Sequence, residues 1–342
     1  GYIFRAYYAL PPLSRKSDGL PTGAVSGFSS MLFKLLEEVR SDDSKNKPTH
    51  FAVIFDSARK NFRNEIYKDY KANRSEAPDD LAPQFEYIRK AVKAFNLPSI
   101  EQINYEADDL IATYAKQIIS LGAKVTIISS DKDLMQLVSN KIRLFDPMKS
   151  KVIGEKEVIE KFGVKPNQVI DVQSLAGDSS DNIPGVPGIG IKTASELINK
   201  FKTLENLLKK AGEIPQKKRK ETLINNKDLA LISKKLVTLK DDVPTKNKID
   251  TFDIKKVDKN KLYEFLREME FNRLLSQAIS FYGEPEGKVV QQNTKSISKK
   301  IDVAKYKTIS KITDLDKLIK NLEDKSLISV DTETSSLNPL DA

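Results

Sequence analysis

Short apolar runs alternate with segments of helical periodicity along the first half of the chain. Three runs rich in β-branched residues predict strands, at residues 51–55, 125–129 and 142–145. Three segments whose apolar positions recur every three or four residues predict helices, at residues 25–39, 81–95 and 106–120. Strands that alternate with helices indicate a mostly parallel sheet flanked by helices on both faces. We therefore predict an α/β domain over residues 1–175.

Helical periodicity dominates after this domain, where the strand signals fade. The predicted helices lie at residues 192–201, 203–211 and 259–275. Residues 284–305 are mostly polar and have no clear period, which indicates a linker. A predicted helix at 311–322 and a predicted strand at 327–330 follow it. The chain is thus expected to continue with a helical subdomain at 176–283, the linker, and a short further segment at 306–342.

Composition narrows the chemistry that such a fold can carry. The chain has 57 Lys and Arg against 48 Asp and Glu, a formal net charge of +9, which favours an anionic partner such as nucleic acid. A Lys-rich solvated surface would explain the same charge. There is no Cys and one His, His50, which excludes disulfides and thiolate metal sites and argues against a His-based zinc site or a Ser-His-Asp triad. A cytoplasmic protein without a membrane span is expected.

Eight acidic residues form three short clusters and one further position. They are Asp56; Glu106, Asp108 and Asp109; Asp131 and Asp133; and Asp178 and Asp181. Asp56 and Asp131 follow predicted strands, so both are expected at the ligand-binding edge of the sheet. Each cluster alone is also typical of acids at the start of a helix. Together they would repel one another unless cations lay between them, and carboxylate oxygens are the ligands that Mg²⁺ or Mn²⁺ prefers.

Basic, aromatic and glycine-rich segments lie between these acids in the sequence. The stretch between Asp56 and Glu106 interleaves Lys and Arg with aromatic residues, which suits phosphate contact and base stacking. An amphipathic helix with inward-facing aromatics is the alternative. The turn from Gly185 to Gly190 precedes a predicted helix, where glycines allow a backbone to approach a phosphate. Its spacing does not match a Walker loop.

The order and spacing of these motifs closely resemble one known family. The matching segments are Val53-Ile-Phe-Asp56, Tyr70-Lys-Ala-Asn-Arg74, Tyr105-Glu-Ala-Asp-Asp109, Ser130-Asp-Lys-Asp-Leu134 and the glycine-rich stretch 177–190. They are similar to the 5′-nucleases, which include the flap endonucleases and the 5′-nuclease domain of bacterial DNA polymerase I. The resemblance covers roughly residues 1–283. It implies a PIN-like, mostly parallel sheet followed by a helix-hairpin-helix subdomain.

This resemblance implies two magnesium ions held by carboxylates, with Mn²⁺ as an alternative. One ion would be gathered by Asp56, Glu106, Asp108 and Asp131. The second would be held, partly through water, by Asp133, Asp178 and Asp181. Asp109 is counted among the site acids. The family has one more acid shortly before the segment that matches residues 1–5, so the chain is expected to be a fragment lacking that ligand and most of a central strand.

The resemblance also implies which residues bind DNA. Arg63, Lys71 and Arg74 would contact the scissile phosphate, with Arg5 assisting, and Tyr70 would line the gateway for a 5′ single strand. The duplex backbone would be gripped without sequence reading by Gly185, Gly188, Gly190 and Lys192. The hairpin would hold a monovalent cation, usually K⁺.

The final segment resembles the start of a second nuclease. Asp331 and Glu333 match the first motif of the 3′–5′ proofreading exonucleases, whose later motifs the chain does not contain. The expected protein is therefore the 5′-nuclease part of a DNA polymerase, a nucleoid-associated monomer that removes primers and flaps. Two alternatives stay open: a PIN-type ribonuclease, and a DNA-binding fragment that is inactive because it is truncated.

Overall fold

The computed structural model describes residues 1–41, 47–147, 149–285 and 308–323. The chain separates into two compact units, residues 1–287 and residues 288–342. Every helix in the described ranges is too short or too polar to cross a membrane. The strand predicted at 327–330 lies outside the described residues, as do Asp331, Glu333 and most of the predicted linker.

The first unit is mainly helical. Its α-helices are α1 Tyr2–Ala9, α2 Gly23–Ser41, α3 Arg63–Ile66, α4 Gln84–Ala94, α5 Ala107–Ser120, α6 Glu155–Phe162, α7 Val169–Ala176, α8 Ile191–Phe201, α9 Leu204–Lys209, α10 Lys217–Asn225, α11 Lys227–Val237, α12 Lys259–Glu268 and α13 Asn272–Tyr282. The described part of the second unit contains α14, Ile312–Leu322. The predicted helices at 25–39, 106–120, 192–201 and 311–322 are confirmed. The one expected at 81–95 begins only after Pro83, and the one expected at 203–211 is shorter at its end.

Five short strands form two sheets. They are β1 Val53–Ile54, β2 Ser99–Ile100, β3 Val125–Ile128, β4 Ile142–Asp146 and β5 Lys151–Ile153. Strand β1 pairs with β2 in parallel, β3 pairs with β4 in parallel, and β5 adds to β4 in the antiparallel direction. The predicted parallel pairing is therefore confirmed. The single sheet expected is instead two small sheets within the described ranges, flanked by helices.

Helix α5 connects the two sheets. It packs against both β1 and β3. Leu110 and Tyr114 on this helix share a buried cluster with Ile100 of β2, whereas Ala115 belongs to the cluster that contains Ile127 of β3. Because one helix covers strands from both sheets, its first turn lies close to the chain that leaves each of them.

Two large hydrophobic cores stabilise the first unit. One buries α2, α4, α12 and α13 around residues such as Leu36, Ile88 and Leu266. The other joins β3 and β4 to α6 through α11, around residues such as Leu144 and Leu175. Each fully buried aliphatic side chain contributes roughly 1.5–3 kcal/mol. The second core crosses the division predicted between residues 175 and 176, and that domain boundary stays a prediction.

The helix predicted at 259–275 is wrong, because the chain breaks between α12 and α13. Glu270 has a φ of +59°, outside the right-handed helical region. Its carboxylate accepts hydrogen bonds of 2.7 and 3.1 Å from the amides of Lys16 and Ser17. The apolar spacing slips here, because the positions three and four after Met269 are Asn272 and Arg273, and the prediction of one continuous helix overlooked this slip.

Candidate active site

Several segments deliver acids to the region where β1 and β3 end. Asp56 lies just beyond β1, and its Oδ1 accepts a 2.8 Å hydrogen bond from the amide of Ala107, the first residue of α5. Glu106 is the N-cap of α5, and Asp108 lies in its first turn. The negative carboxylates at this helix start are favoured by the orphan amides and by the helix dipole. One contact thus fixes the end of β1 to the start of α5.

Asp108 lies at the electrostatic centre of the group. Burial raises its pKa well above the ordinary value, and the neighbouring carboxylates of Asp131, Asp56 and Glu106 raise it further. Asp56 and Asp131 come from segments that are far from Asp108 in the sequence, whereas Glu106 lies two residues before it. The fold therefore brings together the acids that the sequence motifs had singled out, and their mutual repulsion is the kind that divalent cations relieve.

Asp131 and Asp133 lie on the chain that follows β3. The Oδ1 atom of Asp131 accepts a 3.1 Å bond from the Asp133 amide, and Gln173 donates a 2.5 Å bond to Asp133 Oδ1. Burial and then the Asp131 carboxylate raise the pKa of Asp133 to about 6, with weaker repulsion from Asp178 and Asp181. Asp133 is therefore repelled by Asp131 and by the two acids Asp178 and Asp181, so it lies between these two groups of acids.

Residues 177–185, here called the acid loop, carry Asp178 and Asp181. Asp178 and Ile183 exchange backbone hydrogen bonds of 2.9 and 2.8 Å. Gly177 and Gly185 both have positive φ, and a Cβ on Gly185 would lie 2.4 Å from the Gly177 nitrogen. Only glycine fits at this backbone crossing. Gly185 is buried against Gly177, so its expected contact with DNA is corrected to a structural role.

Residues 69–74, here called the cation turn, place two basic side chains on the acids. The ammonium of Lys71 bonds to Glu106 and lies 3.5 Å from Asp181 Oδ2. The guanidinium of Arg74 bonds to Asp181. Although burial lowers the pKa of Lys71, the carboxylates of Glu106 and Asp181 raise it overall, so this side chain stays charged. The cation turn thus presents two positive charges beside the acids.

Lys132 is a third cation in the site. Its ammonium lies 2.6 Å from Asp178 Oδ2, while the amide and hydroxyl of Ser180 donate to Asp178 Oδ1. Burial raises the pKa of Asp178, but the bonds from Lys132 and Ser180 lower it overall. Lys132 therefore connects the chain after β3 with the acid loop.

Arg63 and Asp109 form a buried clamp below these residues. The guanidinium makes bonds of 2.7 and 2.8 Å to the two Asp109 oxygens, and its Nε donates to the Leu236 carbonyl at 2.8 Å. Asp109 also accepts from the amides of Lys240 and Glu106. The side chains are 1% and 0% exposed. The expected contact of Arg63 with the scissile phosphate and the place of Asp109 among the metal-site acids are both corrected here. Neither a phosphate nor a metal ion can reach these groups without displacing the clamp.

The expected role of Tyr70 in lining the gateway for a single strand is also corrected. Its side chain is buried, and its hydroxyl donates a 3.0 Å bond to Glu106 Oε2. Burial and the Glu106 charge raise its pKa, so the phenol stays protonated and serves as a donor. No ring face is open to stack on a base.

The remaining DNA-binding candidates are exposed. Gly188, Gly190 and Lys192 lie at the start of α8, and a Cβ on either glycine would meet nothing within 4 Å. Arg5 lies on α1 and lines a cavity of about 320 Å³ together with Asp108, Asp131 and Lys132. These positions are accessible to a ligand.

The donor set fits divalent metal ions after a rearrangement of the basic side chains. In the described residues, no three acidic side chains already converge in a metal-ligand arrangement. Lys71, Arg74 and Lys132 occupy carboxylate oxygens instead, and Arg63 also lies 3.2 Å from Glu106 Oε2. The oxygens are all carboxylate, and burial together with the neighbouring carboxylates raises the pKa of Asp108, a setting in which a divalent cation would favour the charged form. Metal binding would therefore require these cations to release the acids.

Sequence reasoning missed three contributors to the site. Lys132 lies between the two acids of the Asp-Lys-Asp motif, and sequence reasoning assigned it no role. Asn73 and Asn182 donate side-chain bonds that join the cation turn to the acid loop. Asn182 also has a φ of +55°. Because Asn tolerates this conformation, its position directly after Asp181 was an available signal.

Comparisons with known proteins identify the family of this chain. Residues 1–163 match the family described as 5′-3′ exonuclease, N-terminal resolvase-like domain, and residues 164–260 match 5′-3′ exonuclease, C-terminal SAM fold. A 5′-3′ exonuclease from Aquifex aeolicus (strain VF5) is 40% identical over 280 residues, covering 81% of this chain and 91% of the relative.

A second relative and a solved structure extend the comparison. DNA polymerase I from Rhizobium leguminosarum is 54% identical over 274 residues, covering 80% of this chain but only 27% of the relative. The bacteriophage T5 D15 flap endonuclease, in a pseudo-enzyme-product complex with DNA and metal ions, has a TM-score of 0.53 and 22% identity. The match covers 76% of this chain and 91% of the T5 chain, and it shows that the two share a fold. The chain thus belongs to the 5′-3′ exonuclease family.

Proposed function

We propose that this protein is a structure-specific 5′ nuclease that hydrolyses phosphodiesters at 5′ ends and flaps of DNA. The observation that carries the proposal is the group of acids around Asp108, with the cations of Lys71 and Arg74 facing it. The acids can bind metal ions, and the cations can bind a phosphate. A site with both can hydrolyse a phosphodiester. The T5 flap endonuclease with DNA and metal ions supports this chemistry by kinship of fold.

Seven carboxylates would hold two Mg²⁺ ions, with Mn²⁺ as a substitute. These residues are Asp56, Glu106, Asp108, Asp131, Asp133, Asp178 and Asp181. When bound, two such ions lower the pKa of water and offset charge on the reacting phosphate. Asp109 is left out of this set because its oxygens belong to the clamp with Arg63.

Lys71 and Arg74 would bind the scissile phosphate. Each guanidinium or ammonium now satisfies a carboxylate, and each can exchange that partner for a phosphate oxygen of the same charge. Held in place before the reaction, such charges stabilise the negative charge that develops on the phosphate. Arg5 would assist from α1, where its side chain is 44% exposed.

The start of α8 would hold duplex DNA. The glycine turn and Lys192 present accessible backbone and positive charge, which suit contact with phosphates rather than with base edges. We expect affinity for duplex DNA to fall steeply with salt and to depend little on sequence. A K⁺ ion in this hairpin remains a prediction.

The wider role follows from the polymerase relatives. The chain spans about a quarter to a third of the length of the first DNA polymerase I relatives. As part of such a polymerase in the cytoplasm, the nuclease would remove RNA primers and flaps during replication and repair. The expected working state is a monomer.

Cleavage of matched substrates tests the proposal. Wild-type protein with Mg²⁺ should cut a 5′-flap DNA and leave a single-stranded RNA of the same sequence largely intact. Asp131→Ala should slow the flap reaction by about a hundredfold or more, the order of effect of removing one charge-stabilising group. Faster cleavage of the RNA would instead favour a PIN-type ribonuclease. Unchanged flap cleavage in Asp131→Ala would contradict the site assignment.

A further inference from the structure

The cation turn and the acid loop are joined by bonds between neutral groups. The side-chain amide of Asn182 donates a 2.7 Å bond to the carbonyl of Asp69. In the opposite direction, the side-chain amide of Asn73 donates a 2.6 Å bond to the backbone carbonyl of Ser179. Each segment therefore contributes one asparagine that holds the backbone of the other.

A backbone bond completes this connection. The Lys71 amide donates to the carbonyl of Asp181 at 2.9 Å. The Asp69 carbonyl, held by Asn182, also accepts the 3.0 Å bond from the Ala72 amide that closes the cation turn. Asn182 thus acts on the same carbonyl that sets the shape of the turn.

Local conformation explains why asparagine suits position 182. Its φ is +55°, a region that Asn enters more readily than other residues with a side chain apart from Asp. Glycine would allow the same backbone but would supply no amide. Aspartate would supply no donor and would add a charge beside Asp181. Asparagine therefore provides the required conformation and the required donor together.

We propose that Asn73 and Asn182 are positioning residues for the nuclease reaction, forming a neutral latch that keeps the cation turn on the acid loop. The inference rests on the function proposed above. The latch is defined by the two amide-to-carbonyl bonds from Asn182 to Asp69 and from Asn73 to Ser179.

The need for a neutral latch follows from the charged contacts. The bonds from Lys71 and Arg74 to Asp181 and Glu106 compete directly with metal ions for the acids and with DNA phosphate for the cations. These bonds must break before a phosphate can be held. Amide-to-carbonyl bonds carry no net charge and persist through that exchange. The turn then stays in register while its side chains change partners, and small displacements of such groups cost large factors in rate.

The chain contains a close match for Asn182 outside the cation turn and the acid loop. Asn96 has a φ of +58°, and its side-chain amide donates a 2.8 Å bond to the carbonyl of Lys256. Both asparagines thus combine a left-handed conformation with a long-range bond to a backbone carbonyl. Asn96→Ala therefore measures the general cost of losing such a residue.

Steady-state cleavage of a 5′-flap DNA tests the latch. Asn182→Ala, Asn182→Gly and Asn73→Ala should each lower kcat by about tenfold or more, while KM changes less than about twofold. Asn182→Gly allows the same backbone conformation without strain, so a fall in its kcat reports the missing side-chain amide and the added backbone freedom, but not a strained φ. Asn96→Ala should leave kcat unchanged. Equal kcat in wild type and all three latch variants would overturn the proposal.

Hydrogen exchange supplies a readout that does not depend on activity. In metal-free protein, exchange across residues 69–74 should accelerate in Asn182→Gly and Asn73→Ala but not in Asn96→Ala. Unchanged exchange in both latch variants would also overturn the proposal, even if their kcat fell. If wild-type protein cleaves no flap DNA, the proposed function fails and the positioning role fails with it. If wild type cleaves and the variants cleave equally well, only the latch fails.

Discussion

Two ion-pair groups share the start of α5 but lie in different surroundings. The Arg63–Asp109 clamp is sealed, with side chains 1% and 0% exposed, and every oxygen of Asp109 is occupied. The pairs made by Lys71 and Arg74 are less enclosed, since the Arg74 side chain is 51% exposed and the Lys71 side chain is 17% exposed. The sealed pair cannot exchange its partners for solvent or ligand, whereas the open pairs can. The buried Arg63–Asp109 pair therefore stabilises the fold, whereas the pairs of Lys71 and Arg74 can take part in ligand binding.

The difference shows how one short motif can supply both structure and chemistry. Asp108 and Asp109 are adjacent, and consecutive helical residues point about 100° apart, given 3.6 residues per turn. Asp109 turns inward to Arg63, while Asp108 turns toward Asp56 and Asp131. Changing each acid separately is the most direct way to test this division.

Asp109→Ala should give the largest change in stability. Removing this carboxylate leaves the buried Arg63 guanidinium without its main partner, which costs about 3–5 kcal/mol of unfolding free energy. Urea unfolding without divalent ions would measure the loss. The control is Asp18→Ala, which removes a pair with Arg15 at a carboxylate that is 49% exposed and should therefore cost clearly less. Equal losses in the two variants would show that the clamp is not special.

Asp108→Asn should give the opposite pattern. It removes a charge that burial and three neighbouring acids disfavour, so metal-free protein should be as stable as wild type or more stable. Flap cleavage should nevertheless fall by about a hundredfold or more. Unfolding and cleavage measured on one preparation would check both expectations. A large loss of stability in Asp108→Asn would show that this acid, like Asp109, is structural.

Sequence reasoning located the acids because their motif order and strand-end positions are local features. It predicted that Asp56 and Asp131 would meet, and both now act on Asp108. It could not distinguish Asp109 from Asp108, since burial by Leu236 and Lys240 depends on packing of residues far away in the sequence. The predicted DNA contact of Tyr70 was wrong for the same reason, because its burial also depends on residues far away in the sequence. The apolar spacing does slip after Met269, but the conformation of Glu270 depends on long-range bonds to Lys16 and Ser17, which no local pattern shows.

The pH dependence of stability should separate the open acids from the clamp with a smaller effect. The pKa of Asp133 is raised to about 6 in the folded protein, above its unfolded value of 3.8. The folded state therefore binds a proton more tightly than the unfolded state between these values. This contribution is present at low pH and is lost as the pH rises through about 6. Lowering the pH from 7 to 5 should thus stabilise metal-free protein by about 1 kcal/mol at this residue.

Adding Mg²⁺ should reverse that trend. Metal binding requires deprotonated carboxylates, so the stabilisation given by Mg²⁺ should be larger at pH 7 than at pH 5. Thermal unfolding with and without Mg²⁺ at the two pH values would measure both effects. In Asp133→Asn the gain of metal-free protein at pH 5 should shrink, whereas Asp18→Ala should behave as wild type. A gain that persists undiminished in Asp133→Asn would assign the titration to another group, and Asp133 would no longer separate the open acids from the sealed clamp.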